Sequence, residues 1–153
     1  MNKTAENFHG LGIAPNLMAA IESLKFKVPT PIQHQAIPVG LEGKDIIGIA
    51  QTGTGKTLAF GIPMIQRLAQ LKGKGLVILP TRELAMQVDE MLHWIGRASG
   101  LKTAVLIGGA NIDMQIRDLR RVPSIVVGTP GRIIDHMERR TLNLSDVKIL
   151  VLD

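Results

Sequence analysis

The chain has 153 residues, the length of a single domain, and 45% of them are apolar, which is enough to fill an ordinary hydrophobic core. It contains no cysteine, which excludes a disulfide framework and a thiolate metal site, and its four histidines are scattered. A net charge of +5 weakly favours a polyanionic partner, and a merely solvated basic surface is an equal alternative. Because we find neither a leader nor a long apolar run, we expect a cytoplasmic, monomeric protein with no membrane partner.

Residues 1–44 are punctuated by prolines, and a short helical piece is predicted at 16–24. We expect these residues to pack on the core without extending its sheet. The core domain is then expected to span residues 45–153.

From residue 45 onward, short apolar runs of strand type recur, at residues 45–50, 75–80, 103–108, 124–128 and 149–153. Because these runs are continuous rather than alternating, both faces of each strand should be covered, as in a parallel sheet. Helical periodicity lies between them, notably over 56–71 and 81–99. The alternation predicts an α/β domain with a mostly parallel sheet flanked by helices, in which the loops that leave the strands share one edge.

The segment AQTGTGKT follows the first apolar run and opens a helix, the setting in which a Walker A pattern is meaningful. Its glycines permit a tight turn that aims backbone N–H groups at phosphate oxygens, and the helix amino terminus adds partial positive charge. Lys56 would contact the β- and γ-phosphates and Thr57 would bind Mg²⁺. The alternative is a glycine-rich turn with a surface lysine. The predicted ATP site comprises Ala50, which replaces the usual glycine, Gln51, Thr52, Gly53, Thr54, Gly55, Lys56 and Thr57.

Asp153 ends the last apolar run, which is the setting of a Walker B aspartate that holds Mg²⁺, usually through water. Taken alone, an aspartate after a strand is more often a cap or turn residue. Together with the phosphate loop, the metal-binding role is favoured. Lys56 and Asp153 are therefore the candidate catalytic residues.

Six motifs in order make the chain resemble the DEAD-box RNA helicases from about Phe8 to Asp153. They are FKVPTPIQ (26–33) as the Q motif, AQTGTGKT (50–57) as motif I, PTREL (80–84) as motif Ia, Gly108-Gly109, TPGR (129–132) as motif Ib and VLD (151–153) as the start of motif II. The resemblance implies the first RecA-like P-loop NTPase domain of a helicase, incomplete at its carboxyl end.

The resemblance also implies that Gln33 reads adenine, and the chemistry agrees, because an amide can donate to N7 while it accepts from N6. Phe8 is implied to stack on the adenine ring, with an ordinary buried anchor as the alternative. Phe26 is expected to pack so that it holds the adenine-binding motif in shape. Lys25 departs from the family pattern, which usually has glycine at this position, and this puts the local backbone turn in doubt.

The remaining motifs resemble the RNA-binding edge of the family. Thr81 and Pro130 each begin a predicted helix directly after a strand, so backbone N–H groups should point outward, as an anion site requires. Such contacts grip phosphate and ribose without reading bases. For TPGR alone, a capped helix start with a surface arginine is the alternative. The predicted RNA-binding residues are Pro80, Thr81, Arg82, Gly108, Gly109, Thr129, Pro130, Gly131 and Arg132.

The sequence stops at Asp153, so it contains neither the Glu-Ala-Asp that completes motif II in the family nor the second RecA-like domain, the implied intramolecular partner. We expect this stretch alone to hydrolyse ATP hardly at all, and to expose an unpaired, aggregation-prone sheet edge. One alternative is a module that binds ATP·Mg²⁺ and RNA without turnover. Another is a P-loop ATPase that acts on DNA or protein.

Overall fold

The computed structural model describes residues 7–153, which fall into two compact units. Among these residues, the first unit runs as far as Gln70 and includes Trp94–Gly100, and the second holds Leu71–His93 and Leu101–Asp153. The elements in chain order are α1 (Pro15–Ser23), α2 (Pro31–Leu41), α3 (Lys56–Leu68), β1 (Lys74–Ile78), α4 (Arg82–Arg97), β2 (Thr103–Leu106), α5 (Ile112–Arg120), β3 (Ile125–Gly128), α6 (Pro130–Glu138) and β4 (Val147–Leu152).

The second unit contains a four-stranded sheet in the order β2-β3-β1-β4. Every neighbouring pair is parallel, and Val127 on β3 lies opposite Val77 on β1 and Val105 on β2. Parallel strands with apolar side chains on both faces need covering helices, which is why helix and strand alternate here. The predicted parallel α/β architecture is confirmed.

The core of the second unit joins its strands to helices α5 and α6. Leu119 of α5 and Ile133 of α6 pack with buried strand side chains, because each helix presents one apolar stripe to the sheet. The cluster comprises Leu76, Ala104, Leu106, Leu119, Val126, Ile133 and Leu142. This packing fixes the loops that leave β2 and β3.

The first unit is built on α1, α2 and α3, with Ile21, Ile37 and Ile62 fully buried. Helices α2 and α3 approach closely, since a Cβ added at Gly40 would lie 2.8 Å from the Pro63 ring. The helices predicted at 16–24 and 56–71 are confirmed as α1 and α3. None of the helices in residues 7–153 combines the length and the apolarity needed to cross a membrane.

One predicted strand is wrong. Residues 45–50 form no strand, and Ile47 and Ile49 are 95% and 93% exposed. A strand needs a neighbour that takes up its backbone N–H and C=O groups, and no described strand pairs with this run. Apolar composition alone therefore did not make it a strand, and the phosphate loop follows a segment without regular secondary structure.

Helix α1 ends in a left-handed residue that is not glycine. Lys25 has φ 65°, its N–H bonds to the Glu22 carbonyl (2.9 Å), and the Phe26 N–H bonds back to the Ile21 carbonyl (3.3 Å). This pair of bonds is the Schellman motif, which favours glycine at the left-handed position. The turn that leads into residues 26–33 is thus formed with lysine in the unfavourable position.

Candidate functional site

Gln33 is a buried polar residue near the start of α2 in the first unit, with 2% of its surface exposed. Its Oε1 accepts a hydrogen bond from the Thr30 N–H (2.9 Å), and its Nε2 donates to the Gly55 carbonyl (3.0 Å). An amide oxygen has two lone pairs and an amide nitrogen has two protons. One acceptor and one donor position therefore remain, which is the pair that adenine requires.

The phosphate loop joins this glutamine at Gly55, which begins helix α3. Gly55 (φ 82°) and Gly53 (φ 83°) both lie in the left-handed region, where glycine is unstrained. A Cβ added at Gly55 would lie 2.2 Å from Gln33 Nε2 and 3.2 Å from Thr30 Oγ1. Between these glycines, the N–H and the hydroxyl of Thr54 both donate to the Gln51 carbonyl. The loop thus turns tightly around a position that only glycine fits.

Two features of this loop fit a nucleotide. Within residues 7–153, no side chain caps the amino terminus of α3 by a hydrogen bond, so its partial positive charge is available to an anion. Thr30 Oγ1 is buried, and no described residue satisfies it. A buried hydroxyl without a partner is costly and marks a place where a ligand or water is accommodated. The predicted phosphate-loop residues and Gln33 therefore lie together in the first unit.

The two aromatic candidates differ in exposure. Phe8 is 2% exposed, so both faces of its ring are covered, and this burial agrees with the alternative of a core anchor. Phe26 is half-buried directly after the α1 turn. Adenine stacking by Phe8 stays a prediction and would require the ring to become uncovered.

The predicted metal-binding residues Thr57 and Asp153 lie in different units. Asp153 is exposed directly after β4, and its N–H bonds to the Ile78 carbonyl (3.1 Å), which continues the sheet ladder by one residue. Within residues 7–153, no three His, Asp or Glu side chains form a metal-binding cluster. Mg²⁺ binding by Thr57 and Asp153 stays a prediction.

The predicted RNA-binding loops share one edge of the sheet in the second unit, because each leaves the carboxyl end of a parallel strand. Thr81 caps α4 by accepting from the Leu84 N–H (3.3 Å), and Thr129 donates from its N–H to the Leu106 carbonyl (3.0 Å). The Arg82 guanidinium packs against Gly109 (φ 77°), since a Cβ added at Gly109 would lie 2.6 Å from Arg82 Nη1. The structure therefore brings Arg82, the double glycine and the start of α6 to one edge.

Arg132 is held by the protein more tightly than a surface arginine would be. Its side chain is 15% exposed, and Nη1 donates to the Ala110 carbonyl (3.1 Å) and to Gln115 Oε1 (3.0 Å). Its Nε lies 3.8 Å from Asp135 Oδ2. The hydrogen bond from Arg139 holds the pKa of Asp135 below its usual value, and the nearby Arg132 charge acts in the same direction. Arg132 thus keeps only part of its donor set for a ligand.

Gln115 and His136 belong to no motif, and the sequence did not single them out. Both are buried, with 4% and 0% of their surfaces exposed. Gln115 lies on the apolar face of α5 between Ile112 and Leu119, so a polar residue at a core position is the signal that was available.

The parallel sheet with its interleaved helices and the glycine loop at the start of α3 define a RecA-like P-loop NTPase domain. Residues 30–153 match the family model of the DEAD/DEAH box helicases, and the chain belongs to that family.

Named relatives agree with this assignment. The chain is 50% identical to the DEAD-box ATP-dependent RNA helicase CshA of Bacillus cereus over 95% of its own length. It spans 28% of that relative.

Solved structures from three other organisms are similar. A DEAD box protein from Methanococcus jannaschii matches with TM-score 0.87 and 40% identity over 96% of this chain and 41% of that one. A hypothetical ATP-dependent RNA helicase from Sulfolobus tokodaii gives 0.84 and 38% over 90% and 40%. A variant of S. cerevisiae Dbp5 bound to RNA and ADP BeF3 gives 0.82 and 32% over 97% and 38%.

Proposed function

We propose that this chain is the amino-terminal ATP- and RNA-binding domain of an ATP-dependent RNA helicase. The observation that carries the proposal is the buried Gln33 amide, bonded to the phosphate-loop glycine at the start of α3. This arrangement couples a base-reading group to a phosphate-binding turn within one compact unit. Relatives named as ATP-dependent RNA helicases support the same function.

In the proposed site, the base and the phosphates are bound by different parts of the first unit. The remaining donor and acceptor of Gln33 would pair with N7 and N6 of adenine, a pattern that guanine does not offer. The α3 amino terminus and Lys56 would neutralise the phosphates, and the Thr57 hydroxyl and the Asp153 carboxylate would contribute to Mg²⁺ binding. ATP·Mg²⁺ would supply the phosphoanhydride bond whose hydrolysis drives the proposed helicase activity.

RNA would lie along the sheet edge of the second unit. The donors available there are backbone N–H groups at the starts of α4 and α6 and the guanidinium of Arg82, all of which recognise phosphate rather than bases. A second RecA-like domain would complete the RNA groove and the catalytic site. The Dbp5 variant, whose described complex contains RNA and ADP BeF3, supports this division of labour.

RNA-stimulated ATP hydrolysis by the full-length polypeptide tests the proposal. We expect single-stranded RNA to stimulate turnover strongly, and Lys56→Ala to lower it by about 1000-fold, because a phosphate-binding ammonium is lost. Lys72→Ala is the matched control, because Lys72 is an exposed lysine outside the site. Stimulation by duplex DNA in preference to RNA would contradict the proposal and support an ATPase that acts on DNA.

A further inference from the structure

Gln115 forms hydrogen bonds through both ends of its buried amide. Its Nε2 donates to the Ile107 carbonyl (2.9 Å), and its Oε1 accepts from Arg132 Nη1 (3.0 Å) and faces His136 Nε2 at 2.8 Å. A buried amide is expensive unless its groups are bonded. Three bonds from one side chain, one to the residue after β2 and two to α6, indicate a structural junction.

The junction closes a ring around the double glycine. Ile107 and Ala110 directly flank Gly108-Gly109, and Gln115 bonds to the carbonyl of the first while Arg132 bonds to that of the second. Since Gln115 and Arg132 also bond to each other, both ends of the turn are fixed to one pair of side chains. Glycines lose the most conformational entropy on ordering, so this turn is the part of the edge that most needs bracing.

His136 adds a second contact from α6, four residues after Arg132. The Gln115 oxygen must be an acceptor, because its nitrogen donates to Ile107, and His136 Nε2 therefore carries a proton. The Thr141 hydroxyl lies 2.8 Å from His136 Nδ1 and 3.1 Å from the His136 carbonyl, and when the ring is neutral these two acceptors share its single proton. Burial lowers the pKa of His136, Arg132 and Arg139 act in the same direction, and Asp135 opposes them. The neutral ring with its proton on Nε2 is thus favoured, which keeps the acceptor side of Gln115 filled.

We propose that Gln115 is a positioning residue for RNA: it holds the Gly108-Gly109 turn and Arg132 in the arrangement that receives a sugar-phosphate backbone. This inference rests on the proposed function and deepens it. Both protons of Arg132 Nη1 are used within the protein, so Gln115 also fixes the direction in which Nη2 is presented. Preorganised donors bind an anion without an ordering cost at the moment of contact.

Loss of the Gln115 amide should affect RNA binding and not ATP binding. Removal of the Gln115 amide frees the glycine turn and Arg132, which belong to the RNA edge of the second unit. The residues proposed to bind ATP phosphates and adenine belong to the first unit. RNA affinity should therefore fall while ATP affinity stays unchanged.

The test compares Gln115→Met with Gln87→Met in the full-length polypeptide, since Gln87 is an exposed glutamine on α4. RNA affinity is measured by anisotropy of a fluorescein-labelled ten-nucleotide oligouridylate, and nucleotide affinity with a fluorescent ATP analogue. We expect Gln115→Met to weaken RNA binding about tenfold and to change ATP affinity less than about twofold, while Gln87→Met changes neither. In the Arg132→Ala background, Gln115→Met should weaken RNA binding less than it does in the wild-type protein, because the part of its effect that passes through Arg132 is already lost.

Wild-type RNA affinity in a folded Gln115→Met protein overturns the inference, as does a parallel loss of RNA and ATP affinity. If Gln115→Met does not fold, Gln115→Glu tests the inference instead. Its carboxylate can still accept hydrogen bonds from Arg132 and His136 but cannot donate to the Ile107 carbonyl. RNA binding about threefold weaker with unchanged ATP affinity then supports the inference, and unchanged RNA affinity overturns it. If the wild-type protein itself binds no RNA, the proposed function fails first, so the two failures are distinguishable.

Discussion

Two buried glutamines, one in each unit, fix a glycine-containing loop in the same manner but differ in what they leave available. Gln33 donates to the Gly55 carbonyl (3.0 Å) and accepts one backbone N–H, so one lone pair and one amide proton remain. Gln115 donates to the Ile107 carbonyl (2.9 Å) and its oxygen is shared by Arg132 and His136, so its acceptor is full. Gln33 thus keeps the acceptor and donor pair that adenine requires, whereas Gln115 keeps no acceptor for a ligand and instead holds the glycine turn and Arg132 in place.

The largest expected effect on stability comes from disrupting the contact between Gln33 and the phosphate loop. We expect Gly55→Ala to lower the free energy of unfolding by about 3 kcal/mol, because it adds left-handed strain and forces Gln33 away from its bond to the loop. Gly53→Ala is the matched control, with the same backbone conformation (φ 83°) but nothing within 4 Å of an added Cβ. It should cost about 1 kcal/mol. Urea denaturation followed by Trp94 fluorescence measures both, and equal losses would show that the Gln33 contact contributes nothing.

A smaller effect separates the two glycines of the RNA edge. Gly109→Ala should cost about 2 kcal/mol, since Gly109 is left-handed (φ 77°) and an added Cβ meets the Arg82 guanidinium. Gly108→Ala has open space and should change stability by less than about 0.5 kcal/mol. In the full-length polypeptide, we expect Gly108→Ala to weaken RNA binding nonetheless, because its methyl group would stand where the proposed sugar-phosphate backbone approaches. Unchanged oligouridylate affinity would argue against close approach at Gly108.

Glycine at the end of α1 should stabilise the chain. Lys25→Gly removes the strain of a left-handed lysine (φ 65°) ahead of the Q motif and should raise the free energy of unfolding by about 1 kcal/mol. Arg140→Gly makes the same change at the end of α6, where Arg140 (φ 58°) precedes the Thr141 that bonds to His136. Similar gains in urea denaturation would show that both units carry this strain, and a loss at Lys25 would mean that its side chain contributes more than its backbone costs.

The smallest expected effect is a pH dependence of stability that arises at the contact between Gln115 and His136 and not at Gln33. Because burial lowers the pKa of His136 below the ordinary 6.5, the folded state binds fewer protons than the unfolded state just below that pH. The contribution to stability is complete above pH 6.5 and is lost as the pH falls through the folded pKa. His136→Gln keeps an amide donor toward Gln115 but does not titrate. Unfolding midpoints between about pH 7.5 and 5 should therefore fall less steeply in the variant, and parallel curves would exclude His136 as the source.

Much of this architecture could be predicted from the sequence, since four of the five apolar runs are strands and the glycine loop opens α3 as expected. The run at 45–50 failed because composition reports that a segment can be a strand, not that a neighbouring strand is paired with it. Lys25 was recognised as a departure, but its left-handed backbone follows from the hydrogen bonds that end α1.

Gln115 was missed for a different reason. Its partners Arg132 and His136 lie 17 and 21 residues away, and their meeting depends on how α5 and α6 pack. Gln33 could be identified because it lies within a recognisable motif, although the Gly55 carbonyl that it contacts is 22 residues away, whereas nothing local distinguishes Gln115 beyond its place on an apolar helix face. Polar residues at core positions of helices therefore merit the same attention as glycine-rich motifs.

Competition between ATP and GTP for the full-length polypeptide tests most directly whether Gln33 reads adenine. We predict that ATP binds about 100-fold more tightly than GTP, and that Gln33→Ala reduces this preference to within about threefold, because the paired donor and acceptor are lost. Equal affinities of ATP and GTP for the wild-type protein, or an undiminished preference in Gln33→Ala, would contradict the account.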